Sequence, residues 1–393
     1  MKQHKAITLR ILYFLFFCCT ASWLPLLADF CKSKGLTGTQ ISLILSITPV
    51  MMFIVQPFYG MLADKIGYKK TLAISSFFAA LSYVGYIYTS GYSWLIFLTA
   101  FMSFFYNAIQ PVLDSISLQL VKKDDRFSYG SLRIAGAAGW AFTGIITGQL
   151  IDHINMTAMF YVSAISMLLV FVFTFFLQEN TGEKIKAEET GFKHFKNVIK
   201  NRQLLFLLWC VFLISTAATT IWNFYSIYMK ENGASAALVG YGLSFQGLCE
   251  LPLFYFSAKI ILRLGVKTTL VLTFLATTLR LFLYSLIKNP VAAIPIEMLH
   301  GISWSLFWVA CVEYVNKLVD EKWMATGQSL LYAAYFGAGA IAGNYWTGFL
   351  QEDSHLKISA IFLLNAGIAG AVSIMMAVFM KNNFSAAKAV SPT

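Results

Sequence analysis

Twelve long apolar runs separated by short polar turns constrain this chain more than any other feature. They fall at about 8–31, 38–63, 70–89, 93–121, 131–151, 156–178, 204–229, 237–263, 267–287, 291–316, 325–350 and 357–380. A helix that crosses a bilayer needs about 20 mostly apolar residues, and each run reaches that length. The runs are continuously apolar rather than alternating, which excludes a transmembrane β-barrel. Only 12% of the 393 residues are charged, against roughly 25% in soluble chains. That is too few to cover a water-facing surface of this size, so a bilayer must solvate most of the chain. The first run is too long for a cleavable signal peptide, and Ala28-Asp29-Phe30-Cys31 has no small-x-small cleavage site.

The net charge of +11 first suggests a polyanionic partner, but the position of the bases argues otherwise. With the N-terminus inside, 22 of the 29 Lys and Arg fall in cytoplasmic segments, five in outer loops, and two, Arg133 and Arg280, within runs. This asymmetry is the positive-inside signal. It predicts twelve transmembrane helices with both termini cytoplasmic and no nucleic-acid partner.

The longest polar stretch, Gln178–Gln203, has six runs before it and six after. The expected organisation is a six-helix bundle over 1–178, a cytoplasmic linker over 179–203 and a second six-helix bundle over 204–393. Within the linker, Gly191-Phe192-Lys193-His194-Phe195 forms either a short interfacial helix or part of a solvated loop. The halves look like weak repeats: each second run holds a proline (Pro57, Pro252) and ends in a glycine-basic turn (Gly67-Tyr68-Lys69, Gly265-Val266-Lys267). Parallel six-helix repeats with a site at their interface are a transporter architecture. The six cysteines and five histidines show no metal-ligand spacing, and no disulfide is expected. No phosphate-cradling Gly-Lys-Ser/Thr loop and no nucleophile–base constellation is found, so neither an enzyme nor ATP drive is expected.

The turn after the second run reads Gly60-Met-Leu-Ala-Asp64-Lys65-Ile-Gly67-Tyr68-Lys69. It resembles the signature of the major facilitator superfamily between helices 2 and 3. In that family the glycines permit a tight turn, and the acid and bases form a conformation-sensitive latch. The resemblance assigns that role to Gly60, Asp64, Lys65, Gly67 and Lys69. The equivalent second-half stretch, Ala258 to Lys267, lacks the first glycine and the acid.

Further residues resemble the lactose-permease branch of the superfamily. They are Asn107 to Asp114 in the fourth run, Tyr129 to Trp140 in the fifth, Glu250-Leu-Pro252 in the eighth, Arg280 in the ninth and Leu299-His300-Gly301 in the tenth. The resemblance implies that Asp114, Arg133 and Trp140, with Asn107 beside them, bind a sugar, and that Glu250, Arg280 and His300 couple protons. There are departures. The glutamate expected three residues after His300 is Ser303, the lysine expected three residues before it is Glu297, and the seventh and eleventh runs lack the branch's Asp and Lys. Loss of both members of a buried pair fits its replacement by neutral packing.

The residues themselves leave alternatives open. An ionisable group inside a span is costly unless paired. Asp114 and Arg133 either hold a hydroxylated solute together, or form a structural acid beside an arginine that snorkels to the surface. Trp140, two turns beyond Arg133, either stacks on a solute ring or packs against lipid. Glu250, Arg280 and His300 either link protonation to solute binding or are a static polar cluster. Glu297, one turn from His300, either replaces the missing carboxylate or is solvated in an outer vestibule. The expectation is a proton-coupled importer of a small polar solute, first a sugar or oligosaccharide and second a nucleoside or small aromatic acid. It is placed in a bacterial inner membrane and functions as a monomer, with protons and no other cofactor. An efflux antiporter of amphipathic compounds and a non-transporting receptor on the same fold are the competing readings.

Overall fold

In the computed structural model the described residues are 2–89, 91–123, 127, 129–177, 201–319, 324–352 and 354–380. Twelve helical rods correspond to the twelve runs. The first, α1, comprises Lys2–Trp23, a 3-10 turn Leu24–Leu26 at Pro25, and Leu27–Ser33. Then come α2 (Gly38–Ile66), α3 (Tyr68–Ile87), α4 (Tyr92–Lys123), α5 (Tyr129–His153) and α6 (Ala158–Thr174). The second set is α7 (Arg202–Glu231), α8 (Ala236–Leu264), α9 (Val266–Leu286), α10 (spanning Pro290–Leu318), α11 (Met324–Tyr332, Ala333–Gly339 and Ala340–Glu352) and α12 (Ile358–Phe379). Ten of these are long and apolar enough to cross a membrane, and α6 is a shorter apolar helix. Most of the linker expected at 179–203, including 191–195, lies outside the described residues.

The boundaries follow local chemistry. Thr37 and Gln40 form a capping box that starts α2, Ser235 caps α8, and Asn201 caps α7 by accepting from Gln203 and Leu204 N–H groups. Such caps take up amide donors that a helix end leaves unpaired. Gly67 (φ 92°) and Gly265 (φ 78°) make the turns into α3 and α9 in a left-handed conformation that favours glycine. The α6 rod is shorter than the expected 156–178: a turn in which the Asn155 side chain accepts the Thr157 N–H delays its start, and it ends at Thr174.

Helix pairing in the first set is repeated in the second. α1 packs on α5, α2 on α4 and α3 on α6; correspondingly α7 packs on α11, α8 on α10 and α9 on α12. The sets meet where α5 packs on α8 and α2 on α11. Glycines let these helices approach closely: a Cβ on Gly148 would lie 2.5 Å from the Ala236 carbonyl oxygen. Large apolar side chains such as Ile54, Trp94, Phe97, Leu262 and Ile374 are exposed on the periphery of both sets, as a lipid-facing surface requires. The hydrogen bonds and ion pairs that join the sets cluster at the predicted outer end, at the tips of α1, α2, α5, α7, α8 and α11.

Candidate functional site

Four side chains from α8, α9 and α10 form a continuous chain at mid-depth. Glu297 is fully buried and accepts from Arg280 Nη2 at 2.5 Å, from Gln246 Nε2 at 2.7 Å and from the Tyr284 hydroxyl. Arg280 reaches the other way, Nη1 lying 2.7 Å from His300 Nδ1. His300 Nε2 lies 2.9 Å from Glu250 Oε1. A guanidinium can only donate. Nδ1 must therefore carry the lone pair, the proton sits on Nε2, and His300 donates it to Glu250. In this arrangement the imidazole is neutral and connects a tightly paired carboxylate to a loosely paired one. Glu250 keeps 17% side-chain exposure, against none for Glu297. Of the two roles open to Glu297, solvation in a vestibule is overturned. α10 starts in the short 3-10 turn Pro290–Ala292, and Glu297 lies buried against Gln246 of α8 and Arg280 and Tyr284 of α9.

The first six helices contribute a second, more open group. Asp114 is half-buried in α4 and accepts the Tyr13 hydroxyl of α1 at 2.6 Å. Arg133 of α5 is also half-buried and lies near Tyr332 of α11, as does Asp114. Arg133 and Arg280 are both close enough for their charges to act on Glu250. Arg133 thus stands between the expected solute-binding residues and the expected coupling residues. Trp140 lies against Gly247 of α8, across the contact between the two sets. Asn107 sits two turns before Asp114 and donates to the Thr48 carbonyl at 3.1 Å, tying α4 to α2.

Within the second set, beside the buried chain, lies a small cleft lined by Trp222, Arg280, His300, Ser303, Trp304 and Tyr335. Trp222 stands edge-on to His300 at 5.3 Å and to Trp304 at 5.2 Å, and its Nε1 donates to the Tyr335 hydroxyl at 3.2 Å. Two of the three helices that carry these rings contain π-turns, Gly301–Leu306 in α10 and Ala333–Gly339 in α11. The wider turn re-aims side chains and occurs often at functional sites. Sequence reasoning missed Tyr13, Tyr284, Tyr332 and this aromatic wall. The available signal was spacing: Trp304 with Trp308, and Tyr332 with Tyr335 and Phe336, share helix faces, as do Arg280 and Tyr284.

The departures from the lactose-permease pattern also find a place. Where that branch has acidic and basic partners on helices 7 and 11, Asn223 Nδ2 of α7 donates to Asn344 Oδ1 of α11 at 2.7 Å, a neutral pair. At the expected latch, Gly67 makes the turn, Lys65 is exposed and Lys69 Nζ donates to the Phe175 carbonyl at 2.9 Å. Gly60 and Asp64 belong to α2, and the Asp64 side chain lies outside what the structure describes. Among the described residues no group of three His, Cys, Asp or Glu could hold a metal ion.

The sequence model of the MFS_1 like family matches residues 6–362. The chain is 24% identical over 372 residues to the maltose permease of Geobacillus stearothermophilus, covering 93% of each chain. It is 26% identical to the sucrose permease of Escherichia coli, covering 90% of this chain and 88% of that one. Its fold superposes on the solved structure of the nucleoside transporter NupG with a TM-score of 0.82 at 18% identity, covering 94% of this chain and 98% of that one.

Proposed function

Since the chain belongs to the MFS_1 like family and is a membrane-embedded secondary transporter rather than an enzyme, we propose that it imports a sugar or oligosaccharide with protons. The observation that carries this reading is the hydrogen-bonded run from Glu250 through His300 and Arg280 to Glu297, with the Arg133 charge near enough to act on Glu250. A carboxylate that can gain a proton lies within reach of an arginine that can hold a solute. Loss of the Glu250 charge would release Arg133 toward the solute, and solute held by Arg133 would weaken its hold on the Glu250 charge. Trp222, Trp304 and Tyr335 offer ring faces of the kind that suit the apolar side of a pyranose, Ser303 beside them offers a hydroxyl, and Asp114 and Arg133 of the first set are further polar groups for a solute. Maltose and sucrose permeases among the relatives support a saccharide. A nucleoside or small aromatic acid is the second reading, since a flat ring would use the same cleft.

In this account residues 1–178 and 204–393 act as two six-helix bodies joined by the 179–203 linker. They rock about the mid-depth site with twelve spans, both termini in the cytoplasm, and a single chain as the working unit in a bacterial inner membrane. Gly60, Asp64, Lys65, Gly67 and Lys69 latch the inner side. One proton crossing 100 mV supplies about 2.3 kcal/mol, enough for tens-fold accumulation at one-to-one coupling.

The test uses pure protein in liposomes with an imposed pH gradient and a panel of mono- and disaccharides, nucleosides and aromatic acids. A saccharide should accumulate and alkalinise the medium as it enters. Accumulation only of a nucleoside or aromatic acid would correct the solute, and uptake without proton movement or exchange-driven efflux would contradict symport.

A further inference from the structure

At the predicted outer end, two carboxylates occupy matching places in the two sets of helices. α5 ends in Gly148-Gln-Leu-Ile-Asp152 and α11 in Gly348-Phe-Leu-Gln-Glu352. In each, the acid follows the glycine by four residues and so stands one turn along the same face. Each acid faces the beginning of a helix from the other set. Asp152 Oδ1 accepts the Ala236 N–H at 2.8 Å and Oδ2 the Ala237 N–H at 2.7 Å, at the start of α8. Glu352 Oε2 accepts the Gly38 N–H at 2.7 Å, at the start of α2.

Both receiving helices already have their own caps. Thr37 takes the Gln40 N–H and Ser235 the Leu238 N–H, one turn in. The first amides remain, and a helix normally leaves these to water. Here the other set supplies the acceptor, with a negative charge at the positive end of the helix dipole. The glycines allow the approach: a Cβ on Gly148 would meet the Ala236 carbonyl and one on Gly348 the Gly38 carbonyl and Ser42. Asp152 is exposed and Glu352 half-buried. Water can therefore replace each bond when it breaks, as a reversible contact requires.

We propose that Asp152 and Glu352 are a symmetric pair of bolts for the outer mouth. Each caps a helix of the opposite half while the mouth is closed, and both must release when it opens. This rests on the alternating-access reading above, not on the identity of the solute or the coupling ion.

The experiment measures opening directly. Tyr88 and Leu286, exposed at the outer ends of α3 and α9, are changed to cysteine in the full chain, with the six native cysteines replaced. Spin labels there report the distance between the halves in lipid nanodiscs. The parent should give mainly a short distance. Asp152→Ala or Glu352→Ala should each raise the ratio of long to short distances on the order of tenfold, and the double variant more. Asp152→Asn and Glu352→Gln, which keep an acceptor oxygen without the charge, should give smaller shifts. Ser235→Ala removes a cap from the same end of α8 within its own half, so it should lower the melting temperature and leave the distances alone. A folded double alanine variant with the parent's distances would overturn the proposal, as would an equal shift in Ser235→Ala. No transport is read, so failure of the sugar or proton assignment leaves this test intact.

Discussion

In the first six helices the charges at membrane depth, Asp114 and Arg133, are half-buried, and Asp114 is held by one tyrosine hydroxyl. In the last six, Arg280, Glu297 and His300 are buried and chained together, and only Glu250, at the end of the chain, keeps some exposure. The difference separates two tasks. A charge that must grip and release a solute needs partners it can exchange and some access to water. A charge that fixes the architecture is stable in a low-dielectric setting only when paired and fully hydrogen-bonded. Glu250 and Glu297 show the same division within one half. Among the described contacts Glu297 takes three donors including a guanidinium, whereas Glu250 takes a neutral imidazole. On this reading Glu297 is structural and Glu250 is free to change protonation.

The sharpest way to break this contrast is to strand the architectural charge. Arg280→Ala leaves Glu297 buried without its counterion and should lower stability by about 3–5 kcal/mol, measured by denaturation in detergent. A paired neutral replacement, Arg280→Met with Glu297→Leu, should recover most of that loss. Parent-like stability in Arg280→Ala alone would remove the distinction between the two groups. On the open side, Asp114→Ala should leave folding intact and weaken solute binding roughly ten- to a hundredfold, the range for a hydrogen bond to a charged group, read by titration calorimetry. Trp304→Leu tests the aromatic wall and should weaken binding by up to about tenfold. Tyr13→Phe removes only the hydroxyl that orients Asp114, and a loss of about fivefold in affinity is expected.

Much of the fold was legible because its causes are local. Continuous apolar runs marked the helices, and Gly67 and Gly265 marked turns between them, whereas the equally local caps at Thr37 and Ser235 came only with the structure. The resemblance pointed to Asp114, Arg133, Glu250, Arg280 and His300, of which the structure hydrogen-bonds Glu250, His300 and Arg280 to one another. What the sequence hid depends on contacts between helices. Tyr13 is one hydroxyl in a long apolar run, and only the approach of α1 to α4 gives it a partner. Glu297 looked near enough to the surface to be solvated, and only the approach of α8 and α9 gives it the partners that bury it. The π-turns bracketing the cleft have no composition of their own, since Gly301–Leu306 and Ala333–Gly339 read as ordinary helix.

The central claim, that Glu250 carries the coupled proton while Glu297 holds the frame, is tested most directly by solute-driven proton uptake in liposomes containing Glu250→Gln protein. The account predicts that the parent alkalinises the medium when saccharide is added, and that Glu250→Gln gives no alkalinisation while still exchanging labelled for unlabelled solute. Proton uptake by Glu250→Gln equal to the parent's would contradict it.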